Sequence, residues 1–103
     1  MRAIHLAQLD KIRPVLVLTR EAVRPVLTRV TVAPITTTVR GLSTEVLLDP
    51  QHNGVDRVCV VSCDNITTVP TSALLRQIGR LFHDQEQQLS RAIQAAFDLD
   101  DVE

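Results

Sequence analysis

Aromatic residues are almost missing from this 103-residue chain: Phe82 and Phe97 are the only two, with no tyrosine and no tryptophan. A surface so poor in rings cannot hold a single-stranded nucleic acid mainly by base stacking. The core must come from Val, Leu and Ile, a composition that leans toward β-structure. No run of about 18 apolar residues occurs, which excludes a transmembrane helix and any membrane partner that would need one. The start, Met1-Arg2-Ala3-Ile4-His5, lacks the long apolar region of a signal peptide, so a cytoplasmic protein is expected. Cysteine is limited to Cys59 and Cys63. Four apart in a run that reads as a strand, they would sit roughly 13 Å apart. That is too far for a disulfide. The spacing is not a zinc pattern and no nearby His completes one, so buried, reduced thiols are expected and neither metal nor cofactor. Repeats and low-complexity segments are absent, and the length suits one domain over 1–103.

Net charge is also small, −1, but it is unevenly spread. Residues 1–62 carry eight Lys/Arg against five Asp/Glu, and residues 63–103 carry three against seven. Ten of the eleven basic residues are Arg, which suits bidentate phosphate contacts better than Lys. The acidic end, 98–103, reads as frayed.

Strands are expected over Ile4–Leu9, Arg13–Thr19, Thr28–Ile35, Thr44–Leu48, Arg57–Cys63, Ile66–Val69 and Gln77–Phe82. The run Val15-Leu16-Val17-Leu18 is apolar throughout and predicts burial on both faces. Pro34 cannot donate to a ladder and marks a strand end or edge. Asp10-Lys11 makes a very short turn, residues 20–27 a loop around Pro25, and Asp49 to Gly54 a turn cluster. A single helical turn is expected from Pro70 through Leu75. Asp84 reads as the N-cap of a last helix, with Gln87 at the capping-box position. Leu89, Ile93, Ala96 and Phe97 then recur at helical spacing, facing the barrel or a partner subunit. Many short strands and one late helix predict a mostly β fold with a C-terminal helix, a small antiparallel barrel or sandwich.

Two segments carry chemistry. In Lys11-Ile12-Arg13-Pro14-Val15-Leu16-Val17-Leu18-Thr19 a β-branched run begins at an Arg-Pro step; Val32-Ala33-Pro34-Ile35-Thr36-Thr37-Thr38 runs out into three threonines. A guanidinium beside clustered hydroxyls at one sheet edge suits a phosphodiester. Taken singly, Arg13 reads as a strand-start arginine paired with Asp10 or Glu21, and Thr36 as a turn hydroxyl capping a local backbone group.

In order and spacing these segments resemble the MazF/PemK family of toxin endoribonucleases. The resemblance continues through the Gly41-to-Leu47 hairpin, Val61-Ser62-Cys63-Asp64-Asn65, Arg76-Gln77-Ile78-Gly79-Arg80-Leu81 and the last helix. It implies a small SH3-like antiparallel barrel with a terminal helix, working as a homodimer. It implies metal-independent cleavage of single-stranded RNA, silenced by a cognate antitoxin on the same surface. Arg13 and Thr36 match the family's catalytic arginine and threonine. Thr37 matches the neighbouring small polar residue, and Asp64 an acidic residue implicated in some members as base or substrate ligand. This chain departs from the pattern in its short first loop. His5 stands in place of an aromatic, and Ser62 and Thr67 stand where arginines are common.

His5 is the other acid/base candidate by its intrinsic pKa. Lys11, Arg24 and Arg40 are candidate phosphate contacts, and Thr37, Thr38, Asp64 and Asn65 candidate hydrogen-bonding groups toward RNA. Two other readings stay open: a gyrase-poisoning toxin of the same barrel family without nuclease activity, and a non-catalytic RNA-binding barrel.

Overall fold

A computed structural model describes residues 2–100. Seven strands run β1 (Ala3–Gln8), β2 (Ile12–Val17), β3 (Arg29–Thr36), β4 (Glu45–Leu48), β5 (Cys59–Ser62), β6 (Thr67–Pro70) and β7 (Leu74–Arg80). Two α-helical segments join them: α1 (Pro50–Asn53) and α2 (His83–Ala96). Short 3-10 turns occupy Glu21–Val26, Cys63–Asn65 and Thr71–Ala73. All pairings are antiparallel, in the order β4-β5-β3-β2-β1-β7, with β6 also on β3. The fold is thus the expected one, mostly β and antiparallel with a C-terminal helix. No described helix is long and apolar enough to cross a membrane.

The core is aliphatic and comes in two clusters. Ile4, Leu16, Ala33, Ile35, Val46, Leu48 and Val61 form one with Leu89 and Ala92 of α2. Ala7, Val15, Val17, Val30, Val32 and Val69 form the other. Consecutive residues of β2 go to different clusters, Val15 and Val17 to one and Leu16 to the other, because side chains alternate across a strand. Both clusters are buried, which is why the sequence of β2 shows no polar alternation. Cys59 and Cys63 are buried free thiols, and the loss of solvation pushes Cys63 up to about 11.

Several expectations need correction. The last strand begins at Leu74, not Gln77, and the turn expected from Pro70 through Leu75 is a 3-10 turn over Thr71–Ala73. Asp49 to Gly54 is a helical turn: the Asp49 carboxylate caps it by accepting from the His52 N–H at 3.0 Å, and Gly54 ends it at φ +77°. The valine-rich strand begins at Cys59, not Arg57. Asp56-Arg57-Val58 form an exposed connection between buried Val55 and the first pair with β4, Leu48 with Cys59. The last helix begins at His83, with Phe82 as N-cap. Gln85 reaches back to the Phe82 N–H at 3.0 Å, taking the place expected for Gln87, while Asp84 lies in the first turn. Within α2, Leu89 and Ala92 are buried, Ile93 and Ala96 pack on the core, and Phe97 beyond it is exposed. Of the expected acidic end, residues 101–103 lie outside those described.

The connection after β4 folds back onto β7. A Cβ on Gly54 would lie 2.0 Å from the Ile78 carbonyl oxygen, and one on Gly79 would lie 1.8 Å from the Asn53 carbonyl oxygen. Backbone meets backbone there, and only glycine allows it.

Candidate active site

β2 and β3 pair through Val15–Pro34, Leu16–Ala33 and Val17–Val32. Continued two residues, that register sets Arg13 level with Thr36, beyond the last pair of the ladder. An open cleft of about 600 Å³ lies there. Lys11, Arg13, Thr36 and Thr37 line it, so four of the candidates chosen from sequence share one cavity.

The short first loop fixes Arg13. Asp10 stands three residues before it and accepts from Nε at 2.9 Å and from Nη2 at 3.1 Å. This side-on pairing leaves the Nη1 hydrogens and one on Nη2 free for an anion. The paired guanidinium holds the Asp10 carboxyl at about 2, down from 3.8. Asp10 in turn raises Arg13 above its ordinary range, chiefly through the hydrogen bonds. Arg13 is thus a fixed positive charge and not a proton donor at neutral pH. The Thr36 hydroxyl accepts from the Thr38 N–H at 3.1 Å, which leaves its own O–H free to donate. Past it, the backbone N–H groups of Arg40, Gly41 and Leu42 converge on Glu45 Oε1 at 3.2, 2.9 and 3.2 Å. This nest ties down the end of the threonine loop.

The remaining candidates lie elsewhere. His5 Nδ1 donates to the Leu75 carbonyl at 2.9 Å, and Nε2 faces Arg24 Nη2 at 3.5 Å. Neither lines the cleft; Arg24 borders a separate hollow of about 430 Å³ with Arg2, Arg20 and Glu86. Asp64 accepts from the Thr44 hydroxyl at 2.7 Å in the turn after β5, and Asn65 donates to Ser62 Oγ at 3.0 Å. Thr38, Arg40, Asp64 and Asn65 are exposed and outside the cleft lining.

Four polar residues in the lining escaped the sequence reading: Asp56, Arg57, Arg76 and Gln77. A strand expected from Arg57, and another expected only from Gln77, hid them. The signal available was a charged Asp-Arg pair between the turn cluster and the valine run. Charged groups of the lining are Lys11, Arg13, Arg57 and Arg76 against Asp56 alone. Of these only Arg13 has an ion-pair partner among the described residues. The described residues hold no cluster of three or more metal-ligating side chains.

Residues 4–97 match a family model described as "PemK-like, MazF-like toxin of type II toxin-antitoxin system". Endoribonuclease MazF3 of Mycobacterium tuberculosis is 65% identical over 100 residues, covering 97% of this chain and 96% of that protein. Probable endoribonuclease MazF5 of the same organism is 40% identical over 86 residues, 84% of this chain and 79% of that one. The solved structure of M. tuberculosis toxin MazF-mt6 superposes with a TM-score of 0.93 at 65% identity, covering 96% and 99% of the two chains.

Proposed function

Starting from a chain that belongs to the PemK-like, MazF-like toxins of type II toxin–antitoxin systems, we propose that it is an endoribonuclease toxin cleaving single-stranded RNA without a metal. The observation that carries the reading is the joint placement of Arg13 and Thr36, with Lys11 and Thr37, in one cationic cleft.

Metal-independent cleavage uses the ribose 2′-hydroxyl as nucleophile. Its oxygen forms a bond to the adjacent phosphorus while the P–O5′ bond breaks. The 2′-proton goes to a base, and O5′ takes a proton as it leaves. The products are a 2′,3′-cyclic phosphate and a 5′-hydroxyl. Arg13, held by Asp10, stabilises the charge that develops on the phosphorane through its free N–H groups. Thr36 donates to a non-bridging oxygen and holds the phosphate in line. Asp64 lies outside the cleft of one subunit, so a part for it in catalysis would require RNA or a second copy of the chain to reach it. His5, engaged at both ring nitrogens, is better suited to a structural part.

Partners follow from the same reading: a cognate antitoxin and a second copy of the chain, with the whole chain acting as one toxin domain. On the same reading its compartment is the cytoplasm.

The test is cleavage of a long defined RNA by purified protein in EDTA, with 5′ ends mapped. Discrete cuts with 5′-hydroxyl ends are expected. Arg13→Ala and Thr36→Ala are each expected to lower cleavage by about 10² or more while the fold survives. A fully active Arg13→Ala variant would remove Arg13 from the mechanism. Absence of cuts by folded wild-type protein on several RNAs would favour a gyrase poison or a non-catalytic barrel.

A further inference from the structure

The mechanism above leaves part of the cleft unused. Asp56 and Arg57 come from the connection after α1, Arg76 and Gln77 from β7. These two pieces are fastened together at the Gly54–Ile78 and Gly79–Asn53 backbone contacts, so this side of the cleft is preformed. Asp56 is out of place electrostatically. It is exposed and carries the only carboxylate of the lining, among Lys11, Arg13, Arg57 and Arg76. No described cation lies within ion-pair distance of it. Arg13, the paired cation of the lining, is matched by Asp10.

A bare carboxylate next to an RNA backbone is repelled by every phosphate and contributes only where it meets a donor. On the base edges the principal donors are exocyclic amino groups, from which carboxylates accept, and guanine and uracil add a ring N–H. Cytosine, adenine and guanine each present an amino group. Uracil has no amino group: its one base donor, N3–H, lies between two carbonyl acceptors that repel a carboxylate. Arg57 and Arg76 on the same side can hold the adjoining phosphate and fix the base edge in register.

We propose that Asp56 reads a nucleobase near the scissile phosphate by accepting from its amino group, selecting an amino-bearing base over uracil at one position of the cut site. This rests on the endoribonuclease reading and adds a specificity-determining residue to it. Asp56→Ala removes the acceptor. Asp56→Asn supplies an amide that can donate to a uracil carbonyl and still accept from an amino group.

The experiment digests an RNA pool randomised around a cut site with wild-type, Asp56→Ala and Asp56→Asn proteins in EDTA, and sequences the new 5′ ends. Thermal unfolding confirms that both variants fold, as expected for an exposed position. Wild-type protein should disfavour uracil at one position near the cut. Asp56→Ala should relax that preference by about tenfold, at that position only, and Asp56→Asn should admit uracil there. An unmoved profile, a uniform fall at every site, or a wild-type profile with no position disfavouring uracil overturns the role of Asp56. In each of those cases the wild-type protein still cuts and the endoribonuclease reading stands. If wild-type protein cuts no RNA, that reading falls first and the role of Asp56 with it.

Discussion

Asp10 and Arg13 show how much one side chain's position depends on a neighbour three residues away. An arginine at a strand start has many rotamers; the carboxylate selects one and presents the free N–H groups to the cleft. The depressed Asp10 pKa has a definite sign. Because the folded value lies below the unfolded one, the pair's contribution is fully present above about 3.8 and is lost as pH falls through about 2. Asp10 therefore stays ionised across the neutral range, and a pH dependence of cleavage between 5 and 9 must come from other groups. A carboxyl NMR titration should place Asp10 near 2 in the wild type and return it toward 3.8 in Arg13→Ala. A midpoint unmoved by the substitution would mean that the pair does not form in solution. The pairing was legible in the sequence only as a choice between Asp10 and Glu21. Local spacing allowed both, and the strand direction, set by β1 and β3 on either side, decided between them.

Among the elements, the strands were the easiest to read and the segment joining β4 to β5 the hardest. Val15-Leu16-Val17 announces a buried strand by composition alone. Nothing local announces that the α1 turn meets the start of α2, because the contact joins residues 32 apart. Its centre is Asn53, fully buried. Its amide donates to the Arg80 carbonyl at 2.9 Å and to Gln85 Oε1 at 2.8 Å, and its oxygen accepts from Gln85 Nε2 at 3.0 Å and from the Asp49 N–H at 3.1 Å. Gln85, expected as the first helical residue after an Asp84 cap, is instead the third, in a helix that starts at His83. Buried polar groups left without partners cost about 1–3 kcal/mol each. Asn53→Ala strands several at once and should destabilise the protein by about 3 kcal/mol, lowering Tm by roughly 15 °C. A thermal melt within a degree or two of wild type would show that this knot does not hold α1, β7 and α2 together.

Over the whole molecule, the net charge of −1 hides the feature that matters. Seven of the twelve carboxylates lie in residues 63–103, where α2 and the acidic end carry most of them, while the cleft gathers Lys11, Arg13, Arg57 and Arg76. The basic excess of residues 1–62 was compatible with contact to RNA without locating it, and the family resemblance picked out Arg13 and Thr36. The part of the cleft holding Arg57 and Arg76 was not legible, because it forms only when the connection after β4 folds back onto β7 through the Gly54 and Gly79 contacts. This distribution makes a quantitative prediction. Each cation that neutralises a phosphate of single-stranded RNA releases counterions, contributing about −0.7 to the slope of log affinity against log salt. Binding can be separated from cleavage with an RNA carrying a 2′-deoxy sugar at the cut, which has no nucleophile. Arg57→Gln and Arg76→Gln should each flatten that slope by about 0.7, and the double variant by about twice as much. Both should weaken binding at all sequences alike, since phosphate contacts carry no sequence information. A loss of affinity with the slope unchanged would mean that these arginines act by holding the cleft's shape, and that the RNA backbone runs past them without contact.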